Sequence, residues 1–477
     1  MSTGAPDPRR WRALALVCIA FFMTVLDVSI VNVALPSIGG DLHVKEETLQ
    51  WVITAYAITF GGFLLLGGRA GDLLGRRRMF MIGIALFSVA SLACGLAGSI
   101  GVLIAARAVQ GLGAAIISPA TLSIIMTTFE EGSERNKALG IWGAMGGSGA
   151  AAGVLFGGIL TKYAGWEWIF FVNVPVGAIV LALTRPLVRE SRIPGLRGFD
   201  AAGAATVTSS LALLVYGISK APDVGWSSGR TIGFLIAAAV LLVTFLVIES
   251  RHPSPMMPFR IFRVRTVTGA NVVGFLLGAV VFSNFFLLTL YVQQVLHYSA
   301  LKAGLTFLAT AGTVIPVAGL SQALVTKIGV RPVLIAGLAL QTGGMLWYTQ
   351  IPVHGSYAAD LLPGYLMIGF GLAFSFIPMS IAALAGVEHH EAGLASGLIN
   401  TSQQIGGALG VAIAATVAFT HTKTLIAAGH DPLSAQTSGF SLGFWVLAAI
   451  SAVSVLAAAT LVRGRELEQV EAAVQAT

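Results

Sequence analysis

The sequence predicts an all-α membrane protein that crosses the bilayer fourteen times, and three observations predict it. Hydrophobic residues fill 56% of the 477 positions and charged residues only 10%, where a soluble chain would carry about a quarter. With a mean hydropathy of +0.85, so few charges cannot cover a water-facing surface. The apolar residues gather into runs of about 20, the length a helix needs to span a hydrocarbon core about 30 Å thick. Basic residues are then dense and sparse by turns between those runs, as the positive-inside rule requires.

In chain order the predicted spans cover 13–35, 50–68, 79–98, 102–128, 138–161 and 167–185. Two more follow at 200–219 and 230–249, and a last six at 267–295, 303–325, 332–351, 361–385, 396–418 and 439–462. The first run is not a removable signal segment, because it contains Asp27, runs on for about 20 residues and leads into a second span. An even count puts both termini on one side. With the N-terminus cytosolic, twenty-one Lys and Arg fall in cytosolic segments, among them Arg76, Arg77, Arg78, Arg189, Arg197, Arg260 and Arg265. The outer segments hold only Lys45, Lys162, Lys220, Arg230, Lys302 and Lys423. A wrong span count would scramble that alternation.

An internal repeat refines the division. Gly75-Arg76-Arg77 stands between the second and third spans and Gly329-Val330-Arg331 between the tenth and eleventh. The two match if two spans are inserted between six-span halves. The expected units are then 1–190, an inserted pair at 191–262, a second bundle at 263–465 and a cytosolic tail at 466–477. Transporters are often built from such halves, with substrate bound between them near the midplane.

Composition also excludes. The net charge of +7 sits in short loops between spans, so it does not indicate nucleic acid. Cys18 and Cys94 both fall inside apolar runs, without CxxC spacing, and read as buried apolar residues rather than a disulfide or zinc site. There is no GxxxxGK[ST] and no Gly-Lys pair, so no Walker A loop supplies energy from ATP. No nucleophile–base pair or HExxH motif suggests an enzyme. No cofactor is expected, and the coupling agent is an ion gradient.

Two charges lie deep within the spans, Asp27 and Arg107. A charge at bilayer depth costs at least about 2.5–3.5 kcal/mol on insertion scales, so it needs a partner. Asp27 lies about 21 Å up the rising first span at 1.5 Å per residue. Arg107, just inside the descending fourth span, comes out at about 22 Å in a core about 30 Å thick. The two therefore share a level, either as a fixed ion pair or as a carboxylate whose titration is set by burial and by Arg107. Gln110 follows Arg107 on the same helical face. The fifth span carries Gly143, Gly146, Gly149, Gly153 and Gly157 at steps of three and four, a smooth face that lets a second helix approach and rock. Asp72 precedes Arg76 and Arg77 at a cytosolic turn, as an ionic latch would. Asn400, Gln403 and Gln404 form a polar face in the thirteenth span, suited to interhelical bonds or to lining a wet cavity. His389 and His390 fall in a cytosolic loop and read as solvated.

These stretches resemble the fourteen-helix drug:proton antiporter branch of the major facilitator superfamily over nearly the whole chain. Leu26 to Pro36, with Ser29 where threonine is usual, resembles the branch's first-helix motif; Gly68 to Arg77 resembles the loop signature. Arg107 to Ala115 resembles the fourth-helix motif, whose arginine the family ties to proton coupling. Trp166 to Pro175, with Glu167 in place of the usual arginine, and Ser396 to Ala412 complete the likeness. On the fifth helix the family reads Gly-Pro-x-x-Gly-Gly and this chain reads Gly153-Val154-Leu-Phe-Gly157-Gly158. The glycines keep export the expected direction, while Val154 is the one departure that supports uptake.

The resemblance implies a multi-pass cell-membrane transporter exchanging a small organic molecule, hydrophobic and in some cases cationic, for a proton. Asp27 would carry the proton and Arg107 would tune it. Asn32, Gln110, Asn400, Gln403 and Gln404 would supply cavity contacts, and Asp72, Arg76 and Arg77 the cytosolic gate. A narrow exporter of one metabolite or antibiotic shares every motif. The expected working unit is a monomer. Reporter fusions after Arg197 and after Arg265 should both report the cytosol, and one near Asp223 the outside. A periplasmic signal at Arg265 would remove the two-helix insertion.

Overall fold

Helix is the only way a single segment can satisfy its own backbone groups in lipid, and the computed structural model is helical throughout its described residues, with no strand. Those residues are 8–129, 133–192, 200–252, 255, 257, 259–384 and 392–462. His389, His390 and the chain beyond Val462 lie outside them. The first group of helices is α1 Arg10–Asp41, α2 Glu46–Leu74, α3 Arg76–Gly95, α4 Ile100–Thr128, α5 Ser133–Tyr163, a short α6 Trp168–Phe171 and α7 Asn173–Leu187. The pair α8 Ala201–Val224 and α9 Gly229–Arg251 follows. The last group is α10 Arg265–Leu290, α11 Ala300–Ile328, α12 Val330–Tyr348, α13 Leu362–Leu384, α14 Ala392–Ala427 and α15 Pro432–Leu461.

Every predicted span falls on a helix. Most of the helices run longer than predicted, as α1 does in reaching Asp41, because a hydropathy window registers only the stretch at hydrocarbon depth. Twelve helical segments among the described residues are long and apolar enough to cross a membrane by length and composition, α6 and α7 counting together as one. The remaining two long helices, α5 and α12, coincide with the fifth and eleventh predicted spans. The break between α6 and α7 has a local cause. Pro175, in the first turn of α7, has no N–H to donate back to Phe171.

Packing runs α1 on α5, α2 and α3 on α4, and α10 on α14, with α12 on α13 and α15. The two groups meet along α2–α14 and α5–α11, and α8, paired with α9, packs on α2 and α14. Toward the Asp41 end of α1 both groups share one core, including Ile30, Leu35, Tyr291, Phe307 and Phe444. There Gln293 Nε2 donates to the Val33 carbonyl at 2.8 Å. Toward the Arg10 end the cores are separate, one holding Leu14, Phe80 and Ile124 and the other Val273, Leu334 and Ala458. The two groups therefore share a core at the Asp41 end, while toward the Arg10 end α2 and α14 still meet, Leu65 lying against the cluster of Ala395 and Leu398.

The repeated glycine turn is real. Gly75, at φ +109°, ends α2 and starts α3, and Gly329, at φ +85°, does the same for α11 and α12. A side chain at Gly75 would meet Glu190 Oε1 at 2.7 Å as well as strain the backbone.

Where it is described, the glycine face of α5 packs on α1. A Cβ at Gly149, Gly153 or Gly157 would meet the carbonyl of Phe22 at 3.2 Å, Leu26 at 2.6 Å or Ile30 at 2.9 Å. Gly143 faces open space, and the surroundings of Gly146 lie outside the described residues. Gly153→Leu should therefore destabilise the purified protein by about 1–3 kcal/mol through overpacking. Gly143→Ala should leave its melting temperature in detergent unchanged. Equal effects would mean that the stripe is not the packing surface.

Candidate functional site

The deepest polar cluster is built on α1 and α4, with help from α2, α3 and α7. Asp27 has no exposed surface and Arg107 is 1% exposed. Arg107 Nη1 lies 2.6 Å from Asp27 Oδ2, so the shared depth read from the sequence is a direct ion pair. Gln110 Nε2 donates to Asp27 Oδ1 at 2.8 Å, and Asn173 Nδ2 donates to the same oxygen at 3.0 Å. The carboxylate thus meets three donors from two other helices. Removing one member of a buried pair costs about 3–5 kcal/mol, because the other charge is stranded.

Arg107 is held from every side. Its Nε donates to the Val52 carbonyl at 3.0 Å and its Nη1 also to Gln110 Oε1 at 2.6 Å. The guanidinium carbon sits 4.3 Å from the centre of the Tyr56 ring, a cation–π contact in a site without water exposure. Close approach of the helices makes these reaches possible. A Cβ at Gly111 would lie 2.5 Å from the Tyr56 carbonyl oxygen, and one at Gly113 would lie 2.7 Å from the Phe87 nitrogen. The glycines of the fourth-helix motif are therefore packing positions.

Two members of this network were not singled out as site residues in the sequence. Asn173 opens α7 just after the break, and Ser91 on α3 accepts from Asn173 Nδ2 at 3.0 Å while donating to the Phe170 carbonyl at 2.8 Å. The stretch Trp166 to Pro175 contains Asn173, but nothing local says that it reaches α1. Cys94 is buried and free, with Sγ 3.7 Å from Gln110 Oε1; Cys18 is buried and free as well.

The other predicted residues spread out. Gln110 was expected to line a cavity, but it has no exposed surface and belongs to the carboxylate network. Asn32 is 5% exposed and donates to the Val28 carbonyl at 2.8 Å, leaving its buried Oδ1 without a partner. Asn400 is exposed at the start of α14 and Gln403 Nε2 lies 3.8 Å from Met379 Sδ. Gln404 turns toward α2, where a Cβ on Gly61 would lie 2.9 Å from its own Cβ, and its Oε1 is buried without a partner. The three residues do not share one environment.

At the turn after α2, Asp72 Oδ1 accepts from Arg76 Nη2 at 2.8 Å and Nε at 3.1 Å. Arg77 is not part of that pair. Its Nε lies 3.7 Å from Glu190 Oε2, and the Arg77 and Arg78 amides both donate to the Glu190 carboxylate at 3.1 Å. Glu190 lies just beyond α7 and caps α3. All these partners belong to the first group of helices.

A model of the Major Facilitator Superfamily matches residues 17–411. The chain belongs to the major facilitator superfamily. It is 37% identical to a puromycin resistance protein of Streptomyces alboniger, covering 96% of this chain and 91% of that one. It is 39% identical to a cephamycin export protein of Amycolatopsis lactamdurans, over 85% and 84% of the two chains. Among solved structures, a POT family peptide transporter superposes with a TM-score of 0.69 at 14% identity, covering 93% of this chain and 96% of the other. That likeness carries the fold alone. With these relatives, the drug:proton antiporter branch read from the motifs is the chain's place in the superfamily, and the chain is a multi-pass cell-membrane protein.

The Asp72–Arg76 pair is part-exposed, its side chains 28% and 14% accessible, and such pairs contribute about 0.2–1 kcal/mol. Asp72→Asn should therefore fold and insert with little change in melting temperature and yet transport more slowly. A wild-type rate would reduce this turn to a topology signal.

Proposed function

We propose that this protein exports drug-like or antibiotic organic molecules in exchange for protons by alternating access. The observation that carries this is the Asp27–Arg107 network, buried at bilayer depth among the described residues, in a family member whose relatives are named for antibiotic resistance and export. Asp27 is the proton carrier in this reading. It is bonded to one cation and two amides, so it can gain a proton and release Arg107 without any covalent chemistry. With no exposed surface, Asp27 exchanges that proton only when the helices around it open a water path.

The fourteen helices all span in this reading, α5 and α12 included, with both termini cytosolic. The closed end of the bundle then faces outward, and the two separate cores flank a cavity open to the cytosol. Substrate enters between them, with Asn32, Asn400, Gln403 and Gln404 as the polar groups nearest its route. A cationic substrate competes with the proton for Asp27, and competition for one carboxylate couples the two fluxes. The proton is the only coupling agent, and one chain is the working unit.

A narrow exporter is favoured by one observation. Several relatives are named for a single compound: puromycin, cephamycin, tetracenomycin C and lincomycin. A susceptibility panel in an exporter-deficient host separates one protected compound from many.

Asp27→Asn keeps size and polarity but cannot titrate. It should insert normally and lose proton-driven efflux by about tenfold or more, and Asp27→Glu should restore part of it. The measurement is dye efflux together with proton release from inverted vesicles under an imposed pH gradient. Full coupled transport by Asp27→Asn would leave the mechanism without its carrier.

A further inference from the structure

At the Asp41 end the two helical groups meet along two seams, and the seams are closed by different means. α5 meets α11 backbone to backbone. A Cβ at Gly304 would lie 2.6 Å from the Val154 carbonyl oxygen, and one at Gly158 would lie 2.7 Å from Leu301 Cα. α2 meets α14 in a cluster of charges. Lys423 Nζ, near the end of α14, lies 2.8 Å from Glu47 Oε1 at the start of α2. The same Nζ lies 3.0 Å from Asp223 Oδ1 at the end of α8. The second Asp223 oxygen is 3.4 Å from Lys220 Nζ, one turn back on α8.

One lysine of the last helical group thus faces two acids, and α8 carries its acid on the side of α2. α8 seats on the backbone of α2, where a Cβ at Gly62 would clash with Thr208 Oγ1. Nearer the ion cluster the Tyr216 ring stands 6.1 Å from that of Trp51. α8 also touches α14, around the small side chains of Ala408 and Ala412. We infer that Lys423, Glu47 and Asp223 form a clasp on the α2–α14 seam, in which the inserted helix supplies the second acid and parts from α14 together with α2. The inference rests on the alternating-access reading, in which this end opens in each cycle.

The charges favour that line of separation. When Lys423 withdraws, Asp223 keeps Lys220, and Glu47, already 23% accessible, turns to water. For α8 to leave with α14 instead, Thr208 would have to come away from the α2 backbone. Beneath the ions is a small cavity lined also by Gln50, Ser219 and Thr416. Gln50 Oε1, Ser219 Oγ and Thr416 Oγ1 are buried there without a protein partner. Opening the seam gives these oxygens water to bond, which offsets part of the cost of breaking the ion pairs.

Thr416→Cys places a thiol under the clasp, where the native residue is 8% exposed, without breaking a hydrogen bond of its side-chain oxygen. Cys18 and Cys94 are buried, and the parent chain gives their background rate. A water-soluble maleimide should modify the new thiol slowly in the purified full chain. Asp223→Asn should speed the reaction about two- to fivefold, the effect of losing one part-exposed pair. Lys423→Gln, which removes both pairs, should speed it further, and Lys423→Arg should keep it slow. Added salt should quicken Thr416→Cys alone but not its combination with Lys423→Gln, because only the first has a clasp to screen. Loss of packing would show no such salt response. Equal rates with and without Lys423→Gln overturn the clasp, and a rate untouched by Asp223→Asn overturns the part given to α8. Ser219→Cys, on the α8 wall of the same cavity, is the second reporter if Thr416→Cys does not fold. The rates are read in detergent, where neither proton coupling nor orientation in a membrane enters, so the clasp stands or falls apart from the proposed antiport.

Discussion

A charge held inside a bilayer has to bring its own solvent, and most of the first helical group is arranged to supply it for Asp27 and Arg107. The two meet at 2.6 Å, and every further donor or acceptor comes from a neighbouring helix or the next turn. Such reaches need backbones closer together than ordinary side chains allow. The glycines of α4 let α2 and α3 close in, and those of α5 seat α1. The motif residues around Arg107 are thus of two kinds. Arg107 and Gln110 carry the charge and its hydrogen bonds, and Gly111 and Gly113 bring the walls near enough to complete them.

Asp27 and Arg107 answer each other's charge inside one closed network. The carboxylate accepts from Arg107, Gln110 and Asn173, and the guanidinium donates to the Val52 carbonyl and to Gln110. Removing either charge strands the other, which is why the amides around the pair matter as much as the pair itself.

Depth was legible in the sequence wherever it follows from counting. Asp27 and Arg107 could be set at one level because each helix rises by a fixed amount per residue. The glycine turns at Gly75 and Gly329 were legible because a repeat needs no partner to be seen. Asn173 and Ser91 were not, since a polar residue near a helix end has many innocent uses and only the fold brings Asn173 to Asp27 and Ser91 to Asn173. Gln110 was visible on the face of Arg107 and yet was assigned to a cavity, because a helical face does not say which neighbour it meets.

α5 ties the carboxylate to the far half of the molecule. Gly153 sits against the carbonyl of Leu26, the residue before Asp27, and the next residue, Val154, presents its own carbonyl to Gly304 of α11, where a Cβ would come within 2.6 Å. Gly158, one turn further, lies against Ala300 and Leu301 of the same helix. Two successive residues of one helix thus touch the backbone beside the buried carboxylate and the backbone of the opposite half. Neither contact has side-chain slack to absorb a shift, because both are backbone against backbone. A displacement of α1 at this level must therefore be taken up by α5 as a body or by sliding along its glycine face. Val154 stands where the family carries proline, so this α5 keeps the backbone donor that a proline would remove. It runs unbroken from Ser133 to Tyr163, and a continuous helix transmits such a displacement along its length instead of bending at the point of contact.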